Sequence, residues 1–317
     1  MITYKQAADL LYSHDKIRIL THQSPDGDTV DSAAGLALAL QDMGKQVQIA
    51  CSDPIPPKYD DILAPVVPQE FEPDLIVAVD VADAKLLGAK LAPCAAQTRL
   101  CVDHHASNTF WAAETLLEGD AGAACEVVYL LLKEMGTEIT PAIAASLYTG
   151  LCTDTGCFRY SNTSPRTLRI AAELMEAGAP AAAINLKMFE IKTRSRLTLE
   201  RMVLDSLRYA CGNRVAIAVL SMQMLQESGA AEGETEGVAT LSRNIEGVSV
   251  GITLREKAPG DYKISVRTDE TVDASALCRT LGGGGHARAA GCRLAGTEAE
   301  VTTRMIAAAQ AFLEEQA

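Results

Sequence analysis

The 317-residue chain is 48 % hydrophobic and 22 % charged, with a net charge of −13, so it is long enough for two domains and apolar enough to give each a core. That acidity excludes a protein that coats nucleic acid with a broad basic face, and no apolar run is long enough to span a bilayer. The nine cysteines are scattered without Cys-x-x-Cys spacing, which points to reduced thiols in a cytoplasmic protein and away from a cysteine–zinc site.

Residues 3–13 suit an amphipathic helix, and the first residues lack the basic-then-apolar order of a signal peptide. Lys16–Leu20 reads as a buried strand, 31–43 as an Ala/Leu-rich helix closed by Gly44, and 47–51 as a second strand. Pro54, Pro56 and Pro57 mark a loop. Residues 74–80 and 99–103 are further apolar strands, each ending in an acid. Helices follow over about 122–135, 141–152 and 164–177, the last with Ser164 as N-cap and Pro165 at its first position. A short helix over 180–188 leads to a connecting helix over 193–209. Strands alternating with helices predict an α/β fold with a mostly parallel sheet flanked by helices.

From residue 209 the pattern changes. Strands are expected over 215–220, 248–255 and 261–267, with a turn at Lys257-Ala258-Pro259-Gly260-Asp261. Helices are expected over 222–228, 234–245, 273–280 and 298–315. The segment 243–293 holds eight Lys/Arg against six Asp/Glu, a local basic excess in an acidic chain. We therefore expect a catalytic domain over 1–190, a helical linker over 191–210 and a smaller α/β substrate-binding domain over 211–317.

The chemistry gathers at element ends. His22-Gln23-Ser24-Pro25-Asp26-Gly27-Asp28 links a strand to a helix with one imidazole and two carboxylates. It reads either as a metal site or as a Pro-Asp-Gly turn whose acids cap the helix. Asp80, Asp103-His104-His105 and Asp154 then end further elements, and three of the chain's five histidines lie in these stretches. Lone buried acids after apolar runs are costly without partners; two divalent ions sharing one carboxylate would satisfy them together. Asp83, three residues beyond Asp80, reads as a loop acid or a helix cap.

In order, His22–Asp28, Asp80, Asp103–His105 and Asp154–Gly156 resemble the four motifs of the DHH phosphoesterase superfamily. The resemblance implies that His22, Asp26 and Asp80 hold one manganese ion (magnesium and cobalt being the other candidates). It implies that Asp28, Asp80, His104 and Asp154 hold a second, with Asp80 bridging. His105 would face the substrate phosphate, and Asp103 would orient the imidazoles. Asp31 stands where the family has glycine; an acid at a helix start suits the helix dipole. Arg159 is either a phosphate clamp or a surface arginine beside a helix.

Further on, Gly282-Gly283-Gly284-Gly285-His286 and Ala289-Ala290-Gly291 resemble the DHHA1 domain. Glycines let a backbone approach an anion and offer its N–H groups. By that resemblance Gly283, Gly284, Gly285 and His286 contact the substrate, and Arg267 binds its far phosphate or nucleotide. The two-domain form resembles the nanoRNase and 3′-phosphoadenosine 5′-phosphate (PAP) phosphatase group, which implies short oligonucleotides, linear pApA or pGpG, or PAP as substrate, and a homodimer as the assembly. With 4 % aromatic residues, a long base-stacking channel of RecJ type is poorly supported. Other readings are an inorganic pyrophosphatase or exopolyphosphatase and a non-catalytic nucleotide-binding module.

Overall fold

Runs of apolar residues punctuated by caps set the first body. The computed structural model describes residues 1–235 and 237–314, in two compact units, Met1–Ile191 and a second that begins at Lys192. In α1 (Tyr4–Tyr12) the Thr3 and Gln6 side chains cap each other's backbone, and Ala7, Ala8 and Leu11 turn inward. There follow β1 (Lys16–Leu20), α2 (Gly27–Asp42), β2 (Gln46–Ala50) and a short α3 (Asp60–Leu63). The chain continues through β3 (Leu75–Val79), a short α4 (Gly88–Leu91), β4 (Leu100–Asp103), β5 (Glu114–Leu117), α5 (Ala124–Glu134), α6 (Pro141–Asp154), α7 (Pro165–Glu176) and α8 (Ala181–Asn185). Asp83 caps the turn at Ala84–Leu87.

Among the described residues these strands form one parallel five-stranded sheet in the order β2-β1-β3-β4-β5. The chain leaves β1 toward one edge and returns to β3 on its other side. The boundary between β1 and β3 is therefore the switch point where doubly wound sheets bind ligands, outside the carboxyl ends of their strands. Helix α2 is buried from Gly27 to Leu40, as an Ala/Leu-rich helix enclosed on all sides must be. Gly35 lets it lie close to Leu147 of α6; a Cβ there would come within 2.6 Å of that side chain.

Two expectations are corrected here. Helix α2 begins at Gly27 rather than at 31, because Asp26 caps it through Thr29 N–H. Asp31 is consequently its fifth residue, beyond the first turn where the dipole favours an acid. It is fully buried and neither carboxylate oxygen accepts a hydrogen bond. Strand β5, absent from the sequence reading, pairs with β4 at the sheet edge.

The second body contains α9 (Arg194–Asp205), β6 (Arg208–Ala210), β7 (Val215–Leu220), α10 (Met222–Ser228), α11 (Val238–Leu241), β8 (Val250–Ala258), β9 (Asp261–Thr268), α12 (Ala274–Arg279), β10 (Gly284–His286), β11 (Ala289–Ala295) and α13 (Glu298–Glu314). Among the described residues its sheet has six strands in the order β10-β11-β9-β8-β7-β6. The expected helix over 234–245 is instead a 3-10 turn (Glu232–Thr235) and the one-turn α11, which begins after Gly237 at φ 75°. Residue 236 of that span and residue 315 of the last helix lie outside the described residues. Leu199 and Val203 of α9 pack with Ala218 and Leu220 of β7, so the helix expected to connect the domains belongs to this body's core. Among the described residues no helix is long and apolar enough to cross a membrane.

Candidate metal centre

The carboxyl ends of β1, β3 and β4 and the last residue of α6 bring the sequence-predicted ligands of the first body together. His22 donates from Nδ1 to the Gln23 carbonyl (2.8 Å). Its Nε2 lies 3.5 Å from Asp26 Oδ1 and 3.4 Å from Asp80 Oδ2. Asp26 thus caps α2, as the turn reading expects, and faces the imidazole at once. Asp28 is buried and lies over the start of α5, accepting the N–H groups of Ala124 (2.5 Å) and Cys125 (2.9 Å).

Asp80 is the centre of the cluster. Its backbone is left-handed, φ 58°, and its N–H is held by the Val102 carbonyl at 2.9 Å. The carboxylate is buried and Oδ1 accepts no hydrogen bond, although it lies 3.6 Å from His104 Nε2 and 3.5 Å from His105 Nδ1. His104 Nε2 also faces Asp28 (3.6 Å) and Asp154 (3.7 Å). Among the described residues, three groups have the spacing to hold an ion: His22/Asp26/Asp80, Asp28/His104/Asp154 and Asp80/His104/His105.

These separations exceed the ~2.7–3.2 Å of an N–H···O hydrogen bond. The Nδ1 atoms of His22 and His104 each meet a backbone carbonyl, at 2.8 and 3.2 Å, which makes Nδ1 the protonated nitrogen and turns the Nε2 lone pair toward carboxylates. Lone pairs facing lone pairs require a positive charge between them. A proton or a cation can supply it, and imidazole with carboxylate oxygens is a donor set suited to manganese and its neighbours.

The protonation tendencies carry the same message. Burial pulls the His22 imidazole toward neutrality, but Asp26 and Asp80 outweigh it and carry its pKa up to about 11. Burial, reinforced by the Asp28 carboxylate, pushes Asp154 up to about 7 and Asp80 well above the carboxylate range. The site gathers negative charge that it cannot hold unaided.

Asp103 is fully buried and accepts from His105 Nδ1 (2.8 Å), His104 N–H (2.9 Å) and Asn108 Nδ2 (2.6 Å). It therefore orients the His105 ring, whose side chain is 42 % exposed. Arg159 donates from Nε to the Gly156 carbonyl at 2.6 Å and leans toward the Phe189 ring.

In the second body, Ala289 of β11 pairs with Arg267 of β9 on one side and His286 of β10 on the other. Residues directly opposite share a face, so Arg267 and His286 stand on one face two strands apart. The last two of the four glycines, Gly284 and Gly285, belong to β10 of this hairpin. Gly283 is required, since a Cβ there would lie 2.2 Å from the Gly291 carbonyl oxygen.

The sequence reading missed Asn108, Asn162 and the turn over 121–125. Nothing in residue type or period singles these out, because their roles depend on neighbours distant in the chain. Asp31 contacts none of the clustered ligands by hydrogen bond. Burial first, then the Asp28 and Asp26 carboxylates, hold its pKa well above the usual range. Asp31→Ala is expected to stabilise the protein by on the order of 1–3 kcal/mol, the cost of an unsatisfied buried polar group. The gain should grow from pH 5 to pH 8, because the folded parent must then keep a proton that the unfolded chain has lost; urea unfolding at both pH values measures it.

Residues 16–151 match the DHH family, N-terminal domain, and residues 212–315 match the DHHA1 domain. The chain is 32 % identical over 288 residues to the bifunctional oligoribonuclease and PAP phosphatase NrnA of Thermus thermophilus, covering 89 % of this chain and 85 % of that one. It is 24 % identical to the protein of the same name from Bacillus subtilis, over 89 % of this chain and 90 % of that one. The crystal structure of an exopolyphosphatase-related protein from Bacteroides fragilis superposes with a TM-score of 0.86 at 25 % identity, over 98 % and 95 % of the two chains. With both domains matched and a relative of this similarity along most of its length, the chain belongs to the DHH family, in the form that joins a DHH domain to DHHA1.

Proposed function

We propose that the chain is a two-cation phosphoesterase that hydrolyses short oligonucleotides and linear dinucleotides, pApA and pGpG, and removes the 3′-phosphate of PAP. The observation that carries this reading is Asp80, a buried carboxylate with an unpaired oxygen placed among three imidazoles. His22, Asp26 and Asp80 would hold one ion; Asp28, Asp80, His104 and Asp154 would hold the other, with manganese the ion that the donor set suits. When bound, such a pair supplies a nucleophile at neutral pH and neutralises the attacked phosphate.

The chain's own groups do the rest. The hydrogen bond that His105 donates to Asp103 is the largest influence on its imidazole and raises its pKa. With Nδ1–H donated to Asp103, the ring's second proton would sit at Nε2, where it would protonate the leaving oxygen. Arg159 would steady the phosphate. In the second body Arg267, His286 and Gly283, Gly284 and Gly285 would hold the far phosphate or base. Arg267→Ala is expected to raise KM about 10- to 100-fold, the worth of a hydrogen bond to a charged group, while kcat falls less. An unchanged KM for pApA would remove Arg267 from the site.

The test is a panel with manganese: pApA, pGpG, PAP, pyrophosphate, polyphosphate and a long single strand. Turnover of the first three is expected. The names of the Thermus thermophilus and Bacillus subtilis relatives favour this outcome. The Bacteroides fragilis structure favours a second reading, an exopolyphosphatase, which turnover of polyphosphate alone would establish in its place. Release from pyrophosphate alone would mark a pyrophosphatase, and no turnover at all a nucleotide-binding module.

A further inference from the structure

We propose that Asn162 and the ion pair of buried Glu126 with partly exposed Arg166 are positioning residues for the Asp28, His104 and Asp154 cluster, acting through the backbone of residues 121–125. The inference rests on the two-cation reading above. The three ligands come from the start of α2, the end of β4 and the end of α6, and none is a chain neighbour of another. His104 and Asp28 nevertheless bond directly to one segment, the approach to α5 and its first residues, and Asp154 is linked to it through Asn162.

The Ala121 carbonyl faces His104 Nδ1 at 3.2 Å and so selects the tautomer that leaves Nε2 for the site. The Gly122 carbonyl accepts Asn162 Nδ2 at 2.9 Å, and the same amide reaches the Asp154 carbonyl (3.2 Å) and Asp154 Oδ2 (3.4 Å). Ala124 and Cys125 direct their N–H groups onto the two oxygens of Asp28. A shift of this turn therefore moves all three ligands. The other cluster is anchored elsewhere, His22 by the Gln23 carbonyl and Asp26 by Thr29 N–H.

What fixes the turn is Glu126, which has no exposed surface. Its Oε2 accepts Gly122 N–H (3.1 Å) and Thr167 Oγ1 (2.8 Å), and its Oε1 accepts Arg166 Nε (2.5 Å). Arg166 also reaches Glu118, ahead of the turn, at 3.5 Å. The fit around Gly122 is close: a Cβ there would lie 3.0 Å from Thr167 Oγ1 and 3.1 Å from the Asn162 carbonyl oxygen. With the Arg166 side chain 39 % exposed, the ion pair itself adds little net stability. Its contribution here is directional, since it ties α7 to the backbone that aims the ligands.

Manganese titration calorimetry on the full chain, with bound ions counted by electron paramagnetic resonance, tests this. The parent should bind two ions. Asn162→Ala should weaken one of them roughly 10- to 100-fold, the usual cost of losing a group that orients a ligand, and leave the other unchanged. Glu126→Gln should act in the same direction, and saturating manganese should restore most of the hydrolysis rate of both variants. Asn162 is only half-buried, so its variant serves if Glu126→Gln does not fold. A parent that binds two ions with both retained at full affinity in Asn162→Ala would overturn the proposal alone. Equal weakening of both ions would also overturn it, as general loosening. A parent that binds no ion would overturn the two-cation reading and this inference with it.

Discussion

Asp80→Asn is expected to lower turnover of pApA by on the order of 10³-fold or more, since on the two-cation reading Asp80 bridges the ions and a bridging ligand supports several kcal/mol of transition-state stabilisation. Asn is the appropriate probe. It is one of the few side chains enriched at positive φ, so it can keep the 58° backbone of position 80 while removing the charge. The fold should survive: the lost carboxylate is buried with an unpaired oxygen, and it costs stability whenever no cation is present. Steady-state rates with manganese, beside a thermal melt and a count of bound ions, measure the effect. A folded Asp80→Asn protein within threefold of the parent rate would end the two-cation proposal.

The second large effect is on stability. Stripped of divalent cations, the protein should become less stable as pH rises, and manganese should reverse that slope. The direction follows from the site. Asp154 titrates at about 7 in the fold against 3.8 when exposed, so between those values the folded state must bind a proton that the unfolded chain has released. His22, carried up to about 11, contributes stability fully below its ordinary 6.5 and loses it as pH climbs. Asp26 and Asp103 shift the opposite way, but their contribution is complete once the pH is above the ordinary carboxylate range. Cation binding instead needs deprotonated ligands and strengthens with pH; at 100 times Kd it adds about 2.7 kcal/mol. Melts at pH 6 and pH 8.5 in chelator and in manganese, at matched ionic strength to remove the general repulsion of an acidic chain, check both slopes. A metal-free melting temperature that rises across this interval would contradict the assigned protonation states.

Where local chemistry decides structure, the residues could be read directly. Ser164 and Pro165 mark the start of α7, and the apolar runs 16–20 and 215–220 match β1 and β7 at both ends. Where tertiary pairing decides, reading failed. The glycines at 284 and 285 have low strand propensity, yet become β10 by pairing with β11, since context outweighs propensity in sheets. Four residues at a sheet edge, β5, carry too short a pattern to register. The start of α2 was misplaced because Gly27 and Asp28 are ordinary turn residues that a helix's first turn also accepts.

The site divides along the same line. His22, Asp26, Asp28, Asp80, Asp103, His104, His105 and Asp154 were visible because chemically distinctive residues sit at the ends of apolar runs. Their orientation was not visible. It depends on Asn108, on Asn162 and on backbone groups near Gly122, which have no distinctive type and act across gaps of up to 97 residues. Asp31 was noticed as a departure from the family pattern, but its burial in the middle of α2 follows only from where that helix begins.

The ligand groups are drawn from positions 22 to 154 and lie wholly within the body that ends at Ile191. During synthesis, the sheet core from β1 to β4 emerges before the final ligand of α6 has been made. A nascent chain would hold an incomplete, mutually repelling set of acids until α6 docks against α2. On the two-cation reading, the second ion's ligand set is complete only once Asp154 has been made and α6 has packed against α2.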